Sequence, residues 1–275
     1  MRAHRGLNWI LLQFRDGPPV QFQQRKYRFE IKYRIAEERA DEIRAWIHRV
    51  GHLQADEYGE GGSAAYNVHS LYLDTPGWGI YKETRAGLQH RYKLRARCYD
   101  WTPNAKVFLE VKHRAEEYMW KTRALVTKPD AVRILNNEVP REAKDSPELE
   151  NFRGLMDKRG AYPRVWVTYR RHAYLGGIRD LVRVTFDTRI RAALPTLDMN
   201  EPEKWYVIPE SAGLEILELK YSGSYPAWVA ELVRRFDLER KAFSKFRYGI
   251  DLLNDPDGPV ARDKKLKQAL EGAAP

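Results

Sequence analysis

The sequence predicts an α+β fold: an antiparallel β-barrel tunnel of about eight strands, with helices packed outside and charged side chains facing the bore. Three observations carry that expectation. Several segments alternate apolar and charged residues at a period of two, as the opposite faces of a strand require. Short turn-forming runs separate them, and the helical patterns between them are few and amphipathic. A single alternating strand is ordinary for a sheet with one face in water. Here the alternation recurs and the charged face is mostly basic.

Lys26 to Arg34 reads as the first strand, with Lys26, Arg28, Glu30, Lys32 and Arg34 on one side and Tyr27, Phe29, Ile31 and Tyr33 on the other. Ala36, Ala40, Ile43, Trp46, Ile47 and Val50 then recur at helical spacing. Gly59-Glu60-Gly61-Gly62 is a connection, because no strand precedes it and no lysine follows it as a phosphate-cradling loop requires. Strands follow over residues 66–74, 91–99, 106–114 and 119–126, divided by Pro76-Gly77 and Thr102-Pro103-Asn104. Within them Arg91, Lys93, Arg95 and Arg97 alternate with Tyr92, Leu94, Ala96 and Cys98. Ser146 and Pro147 open a helix that ends near Gly160, as an N-cap followed by proline at the first helical position. Arg164–Tyr174, Leu181–Ile190 and Leu214–Tyr221 have strand composition, and a helix starts at Pro226 and runs through Trp228, Val229, Leu232 and Phe236. No repeat of solenoid length appears.

Residues 1–24 read as a loose arm, 25–253 as the compact domain and 254–275 as a basic tail whose Lys264, Lys265 and Lys267 form a solvated face. With 275 residues, 43% of them hydrophobic and 12% aromatic, the chain can bury a core. The formal net charge of +10 selects polyanionic partners: nucleic acid, polyphosphate, an anionic membrane surface or a phosphorylated small molecule. Cys98 is the one cysteine, which excludes an internal disulfide and a cysteine-clustered zinc site and suits a reducing compartment. Trp9–Leu12 is too short for a signal-peptide core or a membrane span, so the expected location is cytoplasmic.

Sorting the strands by phase gives a candidate bore of Lys32 with Glu30, Arg95 with Arg97, Lys112 with Glu110, Arg183 with Asp187, and Glu218 with Lys220. The other phase, as in Val107, Leu109, Val111, Val182, Val184 and Phe186, is apolar. Like charges 4 Å apart repel by about 1 kcal/mol in water and about 4 kcal/mol at an effective dielectric near 20, so such a bore calls for an anion. Its interspersed carboxylates are also oxygen donors suited to Mg²⁺ or Mn²⁺.

Taken together, Phe29-Glu30-Ile31-Lys32-Tyr33, Ser70-Leu71-Tyr72-Leu73-Asp74-Thr75, Lys93-Leu94-Arg95-Ala96-Arg97 and Leu109-Glu110-Val111-Lys112 resemble the VTC domain, the polyphosphate polymerase module of vacuolar transporter chaperone proteins. Tyr169-Arg170-Arg171-His172-Ala173-Tyr174, Val182 to Thr188, Leu217-Glu218-Leu219-Lys220 and Phe243-Ser244-Lys245-Phe246 continue the resemblance in the same order. It covers residues 25 to 253 and implies the triphosphate-tunnel (CYTH-like) fold. By motif it implies phosphate binding by Lys32, Arg95, Arg97, Lys112, Lys121, Arg171, Arg183 and Lys245, with Glu218 as the metal-site carboxylate. Arg95, Arg97, Lys112, Arg183 and Glu218 are the implied catalytic set.

Three departures stand out. Arg28 occupies a position where the wider superfamily has an acid, which favours the VTC branch over the triphosphatases and puts more weight on Glu218. Ala242 replaces a lysine, for which Arg240 or Lys241 could substitute. Arg171 shares its phase with Val165, Val167 and Tyr169, whereas Arg170 shares its own with Trp166 and Thr168. Motif and period therefore disagree there unless a bulge intervenes.

The resemblance implies transfer of the γ-phosphoryl group of ATP onto phosphate or a growing polyphosphate chain, with a divalent metal and release of ADP. Phosphoryl transfer needs positioning and charge neutralisation rather than a side-chain nucleophile. The seven histidines form no triad or metal spacing, and His113, beside Lys112, is the only one near the expected site. The rival readings are an inorganic triphosphatase or related tunnel phosphohydrolase, and a non-catalytic polyphosphate binder. Nucleic acid is disfavoured because Tyr27, Phe29 and Tyr33 lie on the phase opposite the lysines and cannot stack bases beside them. Relatives of fuller architecture carry a phosphate-sensing regulatory domain and membrane helices. This chain shows neither, so the expectation is synthesis in the cytoplasm unless an unidentified membrane or regulatory partner recruits it.

Overall fold

The computed structural model describes residues 29–51, 54–55, 65–116, 118–176, 182–221, 225–258 and 261. The expected arm, Lys26 to Arg28, the Gly59–Gly62 connection and the tail lysines lie outside the described residues. Strand β1 (Phe29–Ala36) leads into helix α1 (Glu37–Gly51). After the short β2 (Gln54–Ala55) come β3 (Ala65–Asp74), helix α2 (Gly79–Arg85), β4 (His90–Cys98), β5 (Lys106–Ala115) and β6 (Tyr118–Thr127). Helices α3 (Lys128–Leu135) and α4 (Pro147–Arg159) precede β7 (Tyr162–Gly176) and β8 (Val182–Ala193). The short β9 (Tyr206–Val207), β10 (Leu214–Tyr221), α5 (Ala227–Arg235) and α6 (Lys245–Asn254) complete the order.

The Ser146 side chain accepts the Leu149 backbone N–H at the start of α4, and Gly160 ends that helix at a φ of 56°, a left-handed conformation that glycine adopts without strain. α2, α3 and α6 have no counterpart in the sequence reading. The first two are one or two turns long, too short for a periodic pattern to emerge.

All the strands join one antiparallel sheet in the order β1-β10-β8-β7-β3-β4-β5-β6, with β2 beside β7 and β9 beside β8. The antiparallel sheet with outer helices is as expected, but its closure differs from a barrel. Among the described residues β1 and β6 share no ladder, so backbone hydrogen bonds do not close the ring. The sheet instead curls until side chains meet across the gap: Lys112 Nζ of β5 lies 3.1 Å from Glu30 of β1.

The apolar phase of the strands faces outward into the helices. Ile31, Tyr33, Ile35, Val184, Phe186, Leu217 and Leu219 form one core cluster with Ile43, Trp46 and Ile47 of α1 and Val229 and Leu232 of α5. Val107, Leu109 and Val111 join a second cluster with Ala131 and Ile134 of α3 and Leu149, Phe152 and Met156 of α4.

Helix α6 is the exception, because it lies on the concave side. A Cβ added to Gly249 would sit 3.1 Å from a Val167 methyl and 3.2 Å from a Val165 methyl, tighter than ordinary contact, so a larger residue would require those valines to shift. Phe246 packs 5.2 Å from the Tyr72 ring. Val165 and Val167 are therefore inner-face residues that α6 covers, which resolves the conflict between motif and period at Arg171. The inner face is apolar where the helix rests on it and charged beyond. A register shift between Thr168 and Arg170 also loosens the β7–β8 pairing there.

Candidate functional site

The inner phase of the strands delivers the charged side chains to the concave face, where four carboxylates organise them. Glu110 accepts Arg95 Nε at 2.7 Å and Lys121 Nζ at 2.9 Å, and Arg97 Nη1 approaches to 3.9 Å. Asp187 takes Arg171 through both carboxylate oxygens, at 2.6 and 2.7 Å, and Lys245 Nζ at 2.6 Å. Glu218 lies among Lys220 at 2.7 Å, Lys32 at 3.0 Å, Lys245 at 3.4 Å and Arg171 at 3.5 Å. Glu30 meets Lys32 and Lys112, each at 3.1 Å. Residues of β4, β7 and α6 converge on Tyr169 of β7. Its hydroxyl accepts Arg97 Nη2 at 3.3 Å, while the Arg171 guanidinium and the Lys245 ammonium lie 5.2 and 4.6 Å from its ring.

Register explains part of this order. β1 and β10 place Glu30 opposite Lys220 and Lys32 opposite Glu218, two cross-strand pairs of opposite sign. Burial alone would raise the Glu218 carboxyl, but Lys220, Lys32, Lys245 and Arg171 hold it well below the usual carboxylate range. Glu110 is also buried yet held low, by Arg95, Arg97 and Lys121. Burial pushes the Lys121 ammonium down to about 8 despite Glu110. Burial disfavours the Lys32 ammonium too, but Glu218 and Glu30 overcome this and raise it above the usual lysine range.

Every expected site residue lies among the described residues, and the structure brings Lys32, Arg95, Arg97, Lys112, Lys121, Arg171, Lys245 and Glu218 into this one network. Arg183 stands on the same inner phase, with Nη2 3.2 Å from the Tyr66 hydroxyl of β3, on the far side of β7. Two phase-mates are sorted differently than their spacing suggested: Lys112 pairs with Glu30 rather than Glu110, and Asp187 serves Arg171 rather than Arg183.

His113 is not part of the site. It projects to the outer face and stacks on Trp120 with ring centroids 4.9 Å apart. Lys241 does not replace the lysine missing at Ala242, since its ammonium turns outward to Glu239 at 2.6 Å, and Arg240 is exposed beside the bridge it forms with Tyr33. Cys98 is buried, and burial pushes its thiol up to about 12, so it is no nucleophile at neutral pH. The reading of the sequence assigned no role to Lys93, Tyr72 or Tyr169. All three share the inner phase with assigned residues, which is the signal that could have found them.

Mg²⁺ is typically held by one or two carboxylates, with phosphate oxygens and waters completing its shell. Glu30 and Glu218 fit that pattern: both are ionised oxygen donors and both lie against the Lys32 ammonium. No cluster of three or more His, Cys, Asp or Glu side chains suited to a metal occurs among the described residues, so a divalent ion here needs the substrate's oxygens as well.

The family model of the VTC domain matches residues 27–254. No curated protein matches the chain. Among solved structures, a candidate adenylate cyclase from Bacillus halodurans is similar, at 11% identity and a TM-score of 0.44 over 80% of this chain and 96% of that one. The PH1819 protein from Pyrococcus horikoshii OT3 is similar at 13% identity and a TM-score of 0.39, over 80% and 97%. The Mimivirus capping enzyme triphosphatase is similar at 10% identity and a TM-score of 0.34, over 86% and 98%.

Proposed function

The chain belongs to the VTC domain family, and on that premise we propose that it is a polyphosphate polymerase, transferring the γ-phosphoryl group of ATP to phosphate or to the end of a polyphosphate chain. The observation that carries this reading is the surplus of inward-facing cations over carboxylates among the described residues of the site. Arg95, Arg97, Arg171 and Lys245 approach one another around Tyr169, and their carboxylate partners stand where phosphate oxygens would compensate them equally well.

In the reaction, an oxygen of the acceptor phosphate bonds to the γ-phosphorus while the bond from that phosphorus to the β–γ bridging oxygen breaks. ADP leaves with the bridging oxygen and its electron pair. The acceptor is already an anionic oxygen nucleophile, so no side chain has to remove a proton from it. The arginines bind phosphate oxygens through planar, charge-assisted hydrogen bonds, and Lys245 and Lys32 supply point charges. Because these groups are held by packing and by one another, they stabilise charge without reorganising as it develops. Glu218 and Glu30 would hold Mn²⁺ or Mg²⁺, which when bound supplies further neutralisation of the phosphoryl oxygens.

Incubation of the purified protein with ATP and Mn²⁺, followed by chain-length analysis, tests the proposal. Lengthening chains with stoichiometric ADP support it, and orthophosphate without chains points to a triphosphatase. Tight polyphosphate binding with no ADP release marks a binder. Synthesis in the cytoplasm, unless a membrane partner recruits the protein, belongs to the same proposal. No described helix is long and apolar enough to cross a membrane.

A further inference from the structure

Lys93, Lys112 and Lys121 stand directly opposite one another on β4, β5 and β6. Like charges placed opposite across a sheet destabilise it. Two of the three are compensated, Lys112 by Glu30 at 3.1 Å and Lys121 by Glu110 at 2.9 Å. Lys93 has no carboxylate within ion-pairing distance among the described residues. Its ammonium donates to Ser244 Oγ at 3.0 Å, at the start of α6, and lies 5.3 Å from the Phe246 ring. Lys32 reaches the same turn, with Nζ 3.3 Å from the Phe243 carbonyl oxygen.

We propose that Lys93, with Lys32 and Lys112, forms a distinct phosphate subsite at the α6 end of the bore, and that this subsite holds the acceptor, orthophosphate or the terminal phosphate of a chain, rather than the nucleotide. The proposal rests on the polymerase reading above. Lys93 lies two residues along β4 from Arg95, which is about 7 Å, so its ligand is a neighbour of the phosphates held around Tyr169. α6 lies inside the curled sheet at this end, where Phe246 packs on Tyr72 and Gly249 on Val165 and Val167. A bare phosphate chain passes such a constriction more easily than a nucleoside does. The other end, beyond Arg97 and Arg183, carries Tyr66, Tyr99 and Phe108 and leaves Leu125 55% exposed. The nucleotide enters there, which puts the acceptor on the Lys93 side of the transferring phosphorus. Burial, reinforced by Lys112, Lys32, Arg91 and Arg95, pushes the Lys93 ammonium well below the usual lysine range, as befits a cation whose counterion arrives with the ligand.

The experiment compares wild type with Lys93→Met and Lys93→Arg, using tripolyphosphate binding by calorimetry, thermal melts, and chain elongation with ATP and polyphosphate varied separately. Lys93→Met should weaken tripolyphosphate binding about tenfold, the loss of one charge-assisted hydrogen bond. The same variant should melt above wild type without ligand, since it removes an uncompensated charge, and should gain less from tripolyphosphate. Lys93→Arg should restore binding. In elongation, KM for polyphosphate should rise while KM for ATP holds. Unchanged tripolyphosphate affinity in Lys93→Met, or no tripolyphosphate binding by wild type at low ionic strength, overturns the subsite. An equal rise in both KM values overturns its assignment to the acceptor. Wild type that binds tripolyphosphate through Lys93 but never lengthens a chain keeps the subsite and refutes the polymerase. Should Lys93→Met fail to fold, Lys93→Gln repeats the binding test.

Discussion

Replacing Glu218 by glutamine should uncouple catalysis from anion binding, because the carboxylate opposes the cations that bind phosphate and is also a donor to the metal. The substitution keeps side-chain volume and one carbonyl acceptor while removing a charge that lies 2.7 Å from Lys220 and 3.0 Å from Lys32. At those separations each attraction is about 5–6 kcal/mol at an effective dielectric near 20, before the cost of desolvating the ions is deducted. After that deduction, breaking a buried pair from one side costs about 3–5 kcal/mol. For a domain of this size the melting temperature should fall by roughly 10 °C. Saturating polyphosphate should restore much of that loss, because its oxygens take the place of the missing charge.

Turnover should not recover with the fold. With the carboxylate gone, the divalent ion is held less firmly and charge on the transferring group is less well stabilised, so kcat should fall by at least about a hundredfold. Polyphosphate affinity should persist or rise. ADP release from ATP with Mn²⁺ and polyphosphate binding are measured on both proteins at a temperature where both are folded. ADP release by Glu218→Gln within a fewfold of wild type would refute the reasoning and move the metal to Glu30 or Glu110.

Arg95→Ala with Arg97→Ala should abolish tight polyphosphate binding, whereas Lys264→Ala with Lys265→Ala, beyond the residues that match the family, should leave it within about twofold. Equal losses in a binding titration would assign affinity to diffuse surface charge. Since the double variant strips Glu110 of its guanidinium partners, adding Glu110→Gln should recover folding but not binding. Long-chain polyphosphate should raise the melting temperature of the wild type at low ionic strength, and about 1 M salt should largely remove that gain. Coincident melts with and without it at low salt would rule out the basic bore. Acid should destabilise the fold in two ways. Glu30, Glu110, Asp187 and Glu218 all have depressed folded values, so the stability they contribute is complete above the unfolded carboxylate range, about 4 to 4.5, and fades as pH falls below it. Burial pushes His69 down to about 4, so below about 6.5 the unfolded chain takes a proton that the fold refuses, and stability declines between those values. Denaturant titrations from pH 7 to 4 should show that decline in wild type and a flatter profile in His69→Asn.

Much of this site was legible in the sequence because a strand exposes its faces with a strict period of two. The phase that holds Arg95 and Arg97 necessarily excludes Leu94, Ala96 and Cys98. The same regularity made Glu218 and Lys220 neighbours on one face before any contact was known, and the ordered motifs identified the family. Period alone could not specify which carboxylate compensates which cation. Lys112 meets Glu30, a residue 82 positions away in the chain, only because the sheet curls until β5 faces β1. Nor could it locate α6, a ten-residue helix that rests on the concave face of β7 and β8 with the short α2 beside it. The valines that made Arg171 look misplaced are the floor on which that helix rests, and the helix in turn places Lys245 on Asp187 and Ser244 on Lys93. A sequence determines local geometry through the stereochemistry of its backbone. The pairing of charges across a curled sheet depends on long-range closure, which only the tertiary structure decides.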